Sequence, residues 1–253
     1  MIRAVYFDLD DTLCAYWSAS RSALSQAFEE HALDVPAALR SWREVFKTFS
    51  KEIKTEEWYA RYLESGEPTR TEHLRRTLAH LGMPDEELAS SLSRRYAELR
   101  SQFLGLFEDA IPMLEHLRGR YRLGIITNGP TDVQRDELAQ LRIERYFDQV
   151  LIEGEVKAGK PAREIFAVAE RFCNLSADEM LFVGNAFEHD VQGAKASGWH
   201  AVWLNRGKEL PVETGPRPDA VIRNLYELCG YLHIAMPDGD LPQVSESRVT
   251  NWR

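Results

Sequence analysis

Asp8 and Asp10 stand one residue apart in Asp8-Leu9-Asp10-Asp11-Thr12, directly after the apolar residues 2–7. Alternate side chains of an extended segment share a face, so the two carboxylates point the same way. Two carboxylates that close repel unless a proton or a cation lies between them. A magnesium ion, which takes oxygen ligands and leaves room for a phosphate group, meets that demand. One carboxylate is then available as a nucleophile and the other as a general acid and base. Taken alone, the same five residues also read as a turn of solvated acids.

Three further groups follow apolar runs. Thr127-Asn128-Gly129 combines a hydroxyl, an amide and a glycine-freed backbone where a helix should begin, a cradle for an anion. The same three residues also suit an ordinary strand-to-helix turn. Lys160, ahead of Pro161, could neutralise a nucleophile and phosphate oxygens, with Lys157 as a nearby competitor. Gly184-Asn185-Ala186-Phe187-Glu188-His189-Asp190 sets acid and amide oxygens where a hard cation's shell could be completed. His189 within it reads as an exposed helix-start residue.

The surrounding pattern must position these groups. Residues 2–7 suit a short buried parallel strand. From about residue 18 to 103 the apolar residues recur at helical spacing, as at Leu24 and Phe28, Trp42 and Phe46, and Leu74, Leu78 and Leu81. Turns are expected at Ser65-Gly66-Glu67-Pro68 and Met83-Pro84-Asp85. Beyond Phe107 the chain alternates: strands near 123–126, 147–152, 181–183, 201–204 and 220–222, and helices over 110–118, 131–141, 161–172, 191–197 and from Leu225. Thr131 with Gln134 and Ser176 with Glu179 have capping-box spacing, and Pro161 suits a first helical turn. This alternation predicts an α/β fold, a Rossmann-like parallel sheet core with an inserted α-helical cap domain. The core is expected over 1–16 and 104–235, the cap over 17–103, and a polar C-terminal tail over 236–253. Ligands bind beyond the carboxyl ends of the strands in such sheets, so the cap should cover the site.

The balance of 31 basic against 40 acidic residues, a formal charge of −9, argues against a nucleic acid or an anionic membrane as partner. A small phosphorylated metabolite is compatible with it, since one pocket can be positive on an acidic protein. No apolar run reaches membrane-span length, and acids by position eight rule out a signal-peptide core. Cys14, Cys173 and Cys229 are odd in number and far apart, so they read as free thiols in a reducing compartment, which predicts a cytoplasmic protein. Cys14 is expected to be a small buried side chain.

In this order, DLDDT, TNG, GKP and GNAFEHD resemble the four motifs of the haloacid dehalogenase-like hydrolase superfamily, over most of the chain. The resemblance implies that Asp8 becomes an aspartyl-phosphate and that Asp10 protonates the leaving oxygen and then activates water. It implies that Thr127 and Lys160 hold the phosphate, that Asn128 and Gly129 offer backbone N–H groups, and that magnesium is bound by Asp8, the carbonyl of Asp10 and Asn185. Asn185 departs from the usual GDxxxxD pattern, which removes one negative charge and should weaken the metal site. Asp190 would orient Lys160, with Asp190 or Glu188 as substitute ligands.

Asp10 favours a magnesium-dependent phosphatase over a 2-haloacid dehalogenase. A phosphomutase would keep both acids as well, and a catalytically weak binding or regulatory protein would follow if Asn185 had undone metal binding. TNGPTDVQ and RYFDQVLIEGEVKAGKPAREIF resemble the branch with nucleoside monophosphate and sugar-phosphate phosphatases. Trp17, Arg21, Trp58, Tyr59 and Arg61 could stack on a base or pair with a carboxylate, although Trp and Tyr at helical spacing are ordinarily core.

Overall fold

The computed structural model describes residues 1–207 and 215–237. The expected tail lies outside them except for Met236 and Pro237. Six parallel strands form one sheet: β1 (Ala4–Phe7), β2 (Arg122–Thr127), β3 (Gln149–Ile152), β4 (Met180–Gly184), β5 (His200–Leu204) and β6 (Ala220–Ile222), in the order β3-β2-β1-β4-β5-β6. The first strand is therefore central, and the order reverses beside it. That switch point is where an open sheet binds ligands.

Period-two alternation assigns each strand residue to a face. Val5, Phe7, Leu123, Ile125, Leu181 and Val183 lie in one buried cluster, shared with α6 (Ala110–Leu117) and with Leu138 of α7 (Thr131–Leu141). Ala4, Tyr6, Ile126, Phe182, Ala201 and Trp203 lie in the other. There they meet Ile165, Phe166 and Ala169 of the helix Arg163–Cys173. Gly124 is required where it stands, because a Cβ there would be driven into the Tyr6 ring.

Between β1 and β2 lie five helices: α1 (Tyr16–Glu30), α2 (Val35–Glu52), α3 (Glu56–Glu64), α4 (Gly66–His80) and α5 (Glu86–Phe103). They enclose a separate apolar cluster of Leu24, Phe28, Trp42, Leu74, Leu78, Leu92 and Leu99. Asp34 and Asp85 cap α2 and α5 by accepting from Ala37 N and Leu88 N, each at 2.9 Å.

Local expectations fail at three places. The turn expected at 65–68 shrinks to Ser65 alone, the N-cap of α4, and Pro68 lies inside the first turn, where its missing N–H costs no bond. The Thr131–Gln134 capping box does not form, since Thr131 donates its hydroxyl to the Leu63 carbonyl at 3.1 Å and Gln134 turns to Thr127. Pro161 follows a cis peptide bond to Lys160, and the helix Arg163–Cys173 begins two residues later. The capping box at Ser176 and Glu179 is present, around a short 3₁₀ turn.

Candidate active site

Asp8, Thr127, Glu153 and Asn185 each follow or end a strand (β1, β2, β3 and β4), so parallel pairing carries all four to one edge of the sheet. Asp8 is 7% exposed and its two oxygens have different partners. Oδ1 accepts from Lys160 Nζ at 2.6 Å, and Oδ2 accepts from Thr12 Oγ1 at 3.0 Å. Lys160 is buried too, with Asp190 Oδ1 2.7 Å from its Nζ. Asp190 Oδ2 accepts from Ala186 N at 2.8 Å, which fixes the carboxylate that faces Lys160.

The electrostatics follow from this burial. Burial raises the Asp8 pKa above its ordinary value, Lys160 opposes that, and the Asp190 charge adds to it. Burial works against charge on Lys160, but Asp190 and Asp8 outweigh it and hold the ammonium above its usual pKa.

Asp10 faces a second group. Gln134 Nε2 lies 3.4 Å from Asp10 Oδ2 and 3.2 Å from Glu137 Oε2. Asp10 and Glu137 share a hydrogen bond, and Arg100 Nη2 from the insert reaches Glu137 Oε1 at 3.2 Å. Burial first, and the Asp8 charge second, push Asp10 up to about 6. Burial and Asp10 likewise raise Glu137 well above the carboxylate range. Composition gave no sign of this buried trio; the spacing of Gln134 and Glu137 on one face of α7 is the only sequence signal for it.

The anion cradle differs in detail from expectation. Asn128 spends its side chain on Lys160: its Oδ1 accepts from Lys160 N and its Nδ2 donates to Lys160 O, both at 2.7 Å. Thr127 donates to Gln134 Oε1 at 2.6 Å. The Gly129 N–H donates to Glu153 Oε2 at 3.1 Å, while Glu153 Oε1 accepts from Lys54 Nζ at 2.6 Å and Tyr59 OH at 2.7 Å. Sequence reasoning missed Glu153. It ties this loop to the helical insert because its carboxylate, 2% exposed, has four lone-pair sites to fill.

A cavity of about 380 Å³ runs from this edge into the insert. It is lined by Asp8, Asp10, Thr127, Asn128, Gly129, Lys160, Asn185 and Asp190, and on the insert side by Trp17, Trp42, Phe46, Arg70, His73 and Arg100. Trp17 thus stands where expected. Arg21 does not: it is exposed in a shallow groove with Ser25, Glu29 and Phe103, because α1 buries the face of Ala19, Ser20, Ala23, Leu24, Ala27 and Phe28 and Arg21 falls outside it. Trp58 packs edge-on to Phe49, Arg61 lies over Trp58, and Tyr59 is held by Glu153. Cys14 is fully buried, and burial raises its thiol well above the ordinary range, so it is not a nucleophile.

Asn185 Oδ1 and Asp8 Oδ2 converge on the Thr12 hydroxyl, at 3.3 and 3.0 Å. Among the described residues no group of three or more His, Cys, Asp or Glu could hold a metal ion. The Asp8 carboxylate and the Asn185 amide oxygen, with the backbone carbonyl of Asp10, are nevertheless a hard oxygen set that fits magnesium, which keeps waters and substrate phosphate in its shell. No helix among the described residues is long and apolar enough to cross a membrane.

The family model for haloacid dehalogenase-like hydrolases matches residues 2–198. The chain is 29% identical over 236 residues to rat N-acylneuraminate-9-phosphatase, covering 90% of this chain and 92% of that protein. It is 30% identical over 228 residues to glyceraldehyde 3-phosphate phosphatase of Methanopyrus kandleri, covering 87% and 90%. Among solved structures, a 2-haloacid dehalogenase from Pseudomonas syringae superposes with a TM-score of 0.65 at 27% identity, over 92% of this chain and 99% of that one.

Proposed function

This chain belongs to the haloacid dehalogenase-like hydrolase family, and we propose that it is a magnesium-dependent phosphatase that hydrolyses a small phosphate monoester through an aspartyl-phosphate on Asp8. The observation that carries this reading is a buried Asp8 fixed at both oxygens, with Asp10 two residues on and lining the same cavity. Dehalogenation needs no general acid at the second position, so Asp10 is the residue that favours phosphate chemistry.

The roles follow from the contacts. Lys160 holds Asp8 Oδ1 and lowers the charge that an incoming phosphate meets. Asp8 attacks phosphorus, and the ester oxygen departs with the proton of Asp10, whose protonated form is favoured by burial and by the Asp8 charge. The Asp10 carboxylate then takes a proton from the water that attacks the aspartyl-phosphate, returning Asp8 and inorganic phosphate. Magnesium would be held by Asp8, the Asp10 carbonyl and Asn185, and would supply positive charge to the phosphoryl oxygens. Gln134 and Glu137 fix the Asp10 side chain, and Asp190 fixes Lys160.

The cavity volume suits a metabolite and excludes a macromolecular phosphoester buried within it. A nucleoside monophosphate or a sugar phosphate is the substrate class proposed, in keeping with relatives named for an acylneuraminate phosphate and glyceraldehyde 3-phosphate. The division into a catalytic core and a helical cap over 17–103 is proposed on the separate apolar cluster of the insert.

The test is release of p-nitrophenol from p-nitrophenyl phosphate by the purified chain with magnesium. Activity should vanish with a chelator and in Asp8→Asn. Chloride release from a 2-haloacid without metal, and no phosphate release, would establish the dehalogenase instead. Inertness toward both would leave a binding protein.

A further inference from the structure

The lysines and arginines that line the cavity are, among the described residues, Lys54, Arg70, Arg100 and Lys160. Three of them are paired with a carboxylate within the protein. Lys54 is on Glu153 at 2.6 Å, Arg100 on Glu137 at 3.2 Å, and Lys160 between Asp8 and Asp190. Arg70 differs. Its Nε donates to Ser93 O and Ser93 Oγ, each at 3.1 Å, and among the described residues no carboxylate lies within ion-pair distance of its guanidinium. Asp132 is engaged by Ser65 and Gly66, and Glu67 by Thr71.

That arrangement is costly unless a ligand completes it. Burial, and then the like charge of Arg100, lower the Arg70 pKa from its ordinary value. Glu67 and Asp132 act on it only from a distance, and a half-buried cation beside another cation and without an ion pair is disfavoured in the free protein. Ser93, fully buried, fixes the Nε edge and so leaves the Nη1–Nη2 end as the donor pair. That planar end matches the two oxygens of a carboxylate. An ideal Cβ on Gly66 would lie 3.7 Å from Arg70 Nη1 and 3.5 Å from Pro130 Cγ, and Arg70 lines the same cavity as Asn128, Gly129 and Pro130. The same helical face brings Thr69 and His73 to the cavity, with Trp42 stacked on His73 at 4.4 Å as the apolar wall beside them.

We infer that Arg70 determines specificity by binding a carboxylate on the substrate, so that the preferred substrates are phosphate monoesters of small carboxylic acids. The inference rests on the phosphatase reading, and among small phosphate monoesters it favours those that carry an acid, acidic sugar phosphates included, over nucleoside monophosphates. Arg70 engages the group that does not react, and Lys160 the one that does.

The test uses matched pairs that differ at the carboxylate and sample its distance from the phosphate: O-phosphoserine with O-phosphoethanolamine, 3-phosphoglycerate with glycerol 3-phosphate, and 6-phosphogluconate with sorbitol 6-phosphate. A charge-assisted bidentate pair is worth roughly 1.5–3 kcal/mol, or about 10- to 100-fold. In at least one pair the acid should therefore have the higher kcat/KM by about tenfold or more. Arg70→Gln should abolish that preference through KM while changing the non-acidic member less than about threefold, and Arg70→Lys should restore part of it. Equal loss on both members would overturn the inference, because Arg70 would then act on the ester phosphate or on the fold. Turnover of p-nitrophenyl phosphate with no preference in any pair would overturn it and leave the phosphatase standing. If no phosphate ester is hydrolysed, the phosphatase reading fails. The inference is then decided by thermal shift with the same pairs: selective stabilisation by an acid, lost in Arg70→Gln, sustains it, and no selective stabilisation overturns it.

Discussion

Replacing Lys160 by Met keeps the volume of the side chain and removes the cation that Asp8 and Asp190 share at 2.6 and 2.7 Å. All three side chains are at least 90% buried. Each carboxylate then keeps one hydrogen bond, Asp190 from Ala186 N and Asp8 from the Thr12 hydroxyl, and burial already raises the Asp8 pKa. Removing one partner of a buried pair costs roughly 3–5 kcal/mol when the other stays charged. Asp8 can escape by taking a proton, which for an ordinary pKa of 3.8 costs about 4 kcal/mol at pH 7 and about 2 kcal/mol at pH 5. Part of that penalty already exists in the intact pair, where burial raises Asp8. The expected loss is therefore about 3 kcal/mol at pH 8 and about 1 kcal/mol or less at pH 5.

The sign follows from linkage. A folded carboxyl with a raised pKa holds a proton that the unfolded chain has released, so its stability contribution is present below pH 3.8 and is lost as pH rises through the folded value. The variant's folded value is higher than the wild type's, so the gap between the two proteins opens with pH. Urea unfolding followed by tryptophan fluorescence at pH 5, 6.5 and 8, with chelator present, measures it. A gap under about 1 kcal/mol at pH 8, or one equal at pH 5 and 8, would refute the picture of Lys160 as the main compensation for Asp8.

Three other outcomes are expected. Asn185→Asp should lower the magnesium concentration for half-maximal activity, since it restores a charge near Asp8; an unmoved magnesium titration would show that Asn185 is not a ligand or that its charge is irrelevant. Asp8→Asn should release less than about a thousandth of the wild-type phosphate, because an amide cannot form the acyl-phosphate; substantial residual activity in a steady-state assay would remove Asp8 as nucleophile. His73 donates to the Trp42 carbonyl at 2.9 Å and is lowered to about 4, chiefly by burial, so the unfolded chain takes up its proton first as pH falls. Stability should be full above about pH 6.5 and fall by roughly 3 kcal/mol toward pH 4, and His73→Phe should flatten that part of a urea-midpoint profile.

Much of the site was legible from order along the chain. An apolar run followed by Asp8, another followed by Asn128-Gly129, and a third followed by Asn185 are local patterns, and parallel pairing guarantees that such strand ends meet. The helical insert was legible for the same reason, since residues three and four apart are neighbours on one helix face. The partners of those residues were not. Nothing in the local sequence singles out Glu153, Arg100 or Arg70, because a single charge carries no periodicity. Arg21 looked like Arg70 by composition, and only the packing of the insert turned one outward and the other into the cavity. Asn128 shows the same division: its place after β2 was local information, but its bonds to Lys160 join residues 32 apart. The sequence determined which groups stand at the carboxyl edge of the sheet. The tertiary structure decided which charges are neutralised there, because pairing depends on distances across the cavity that no local pattern encodes.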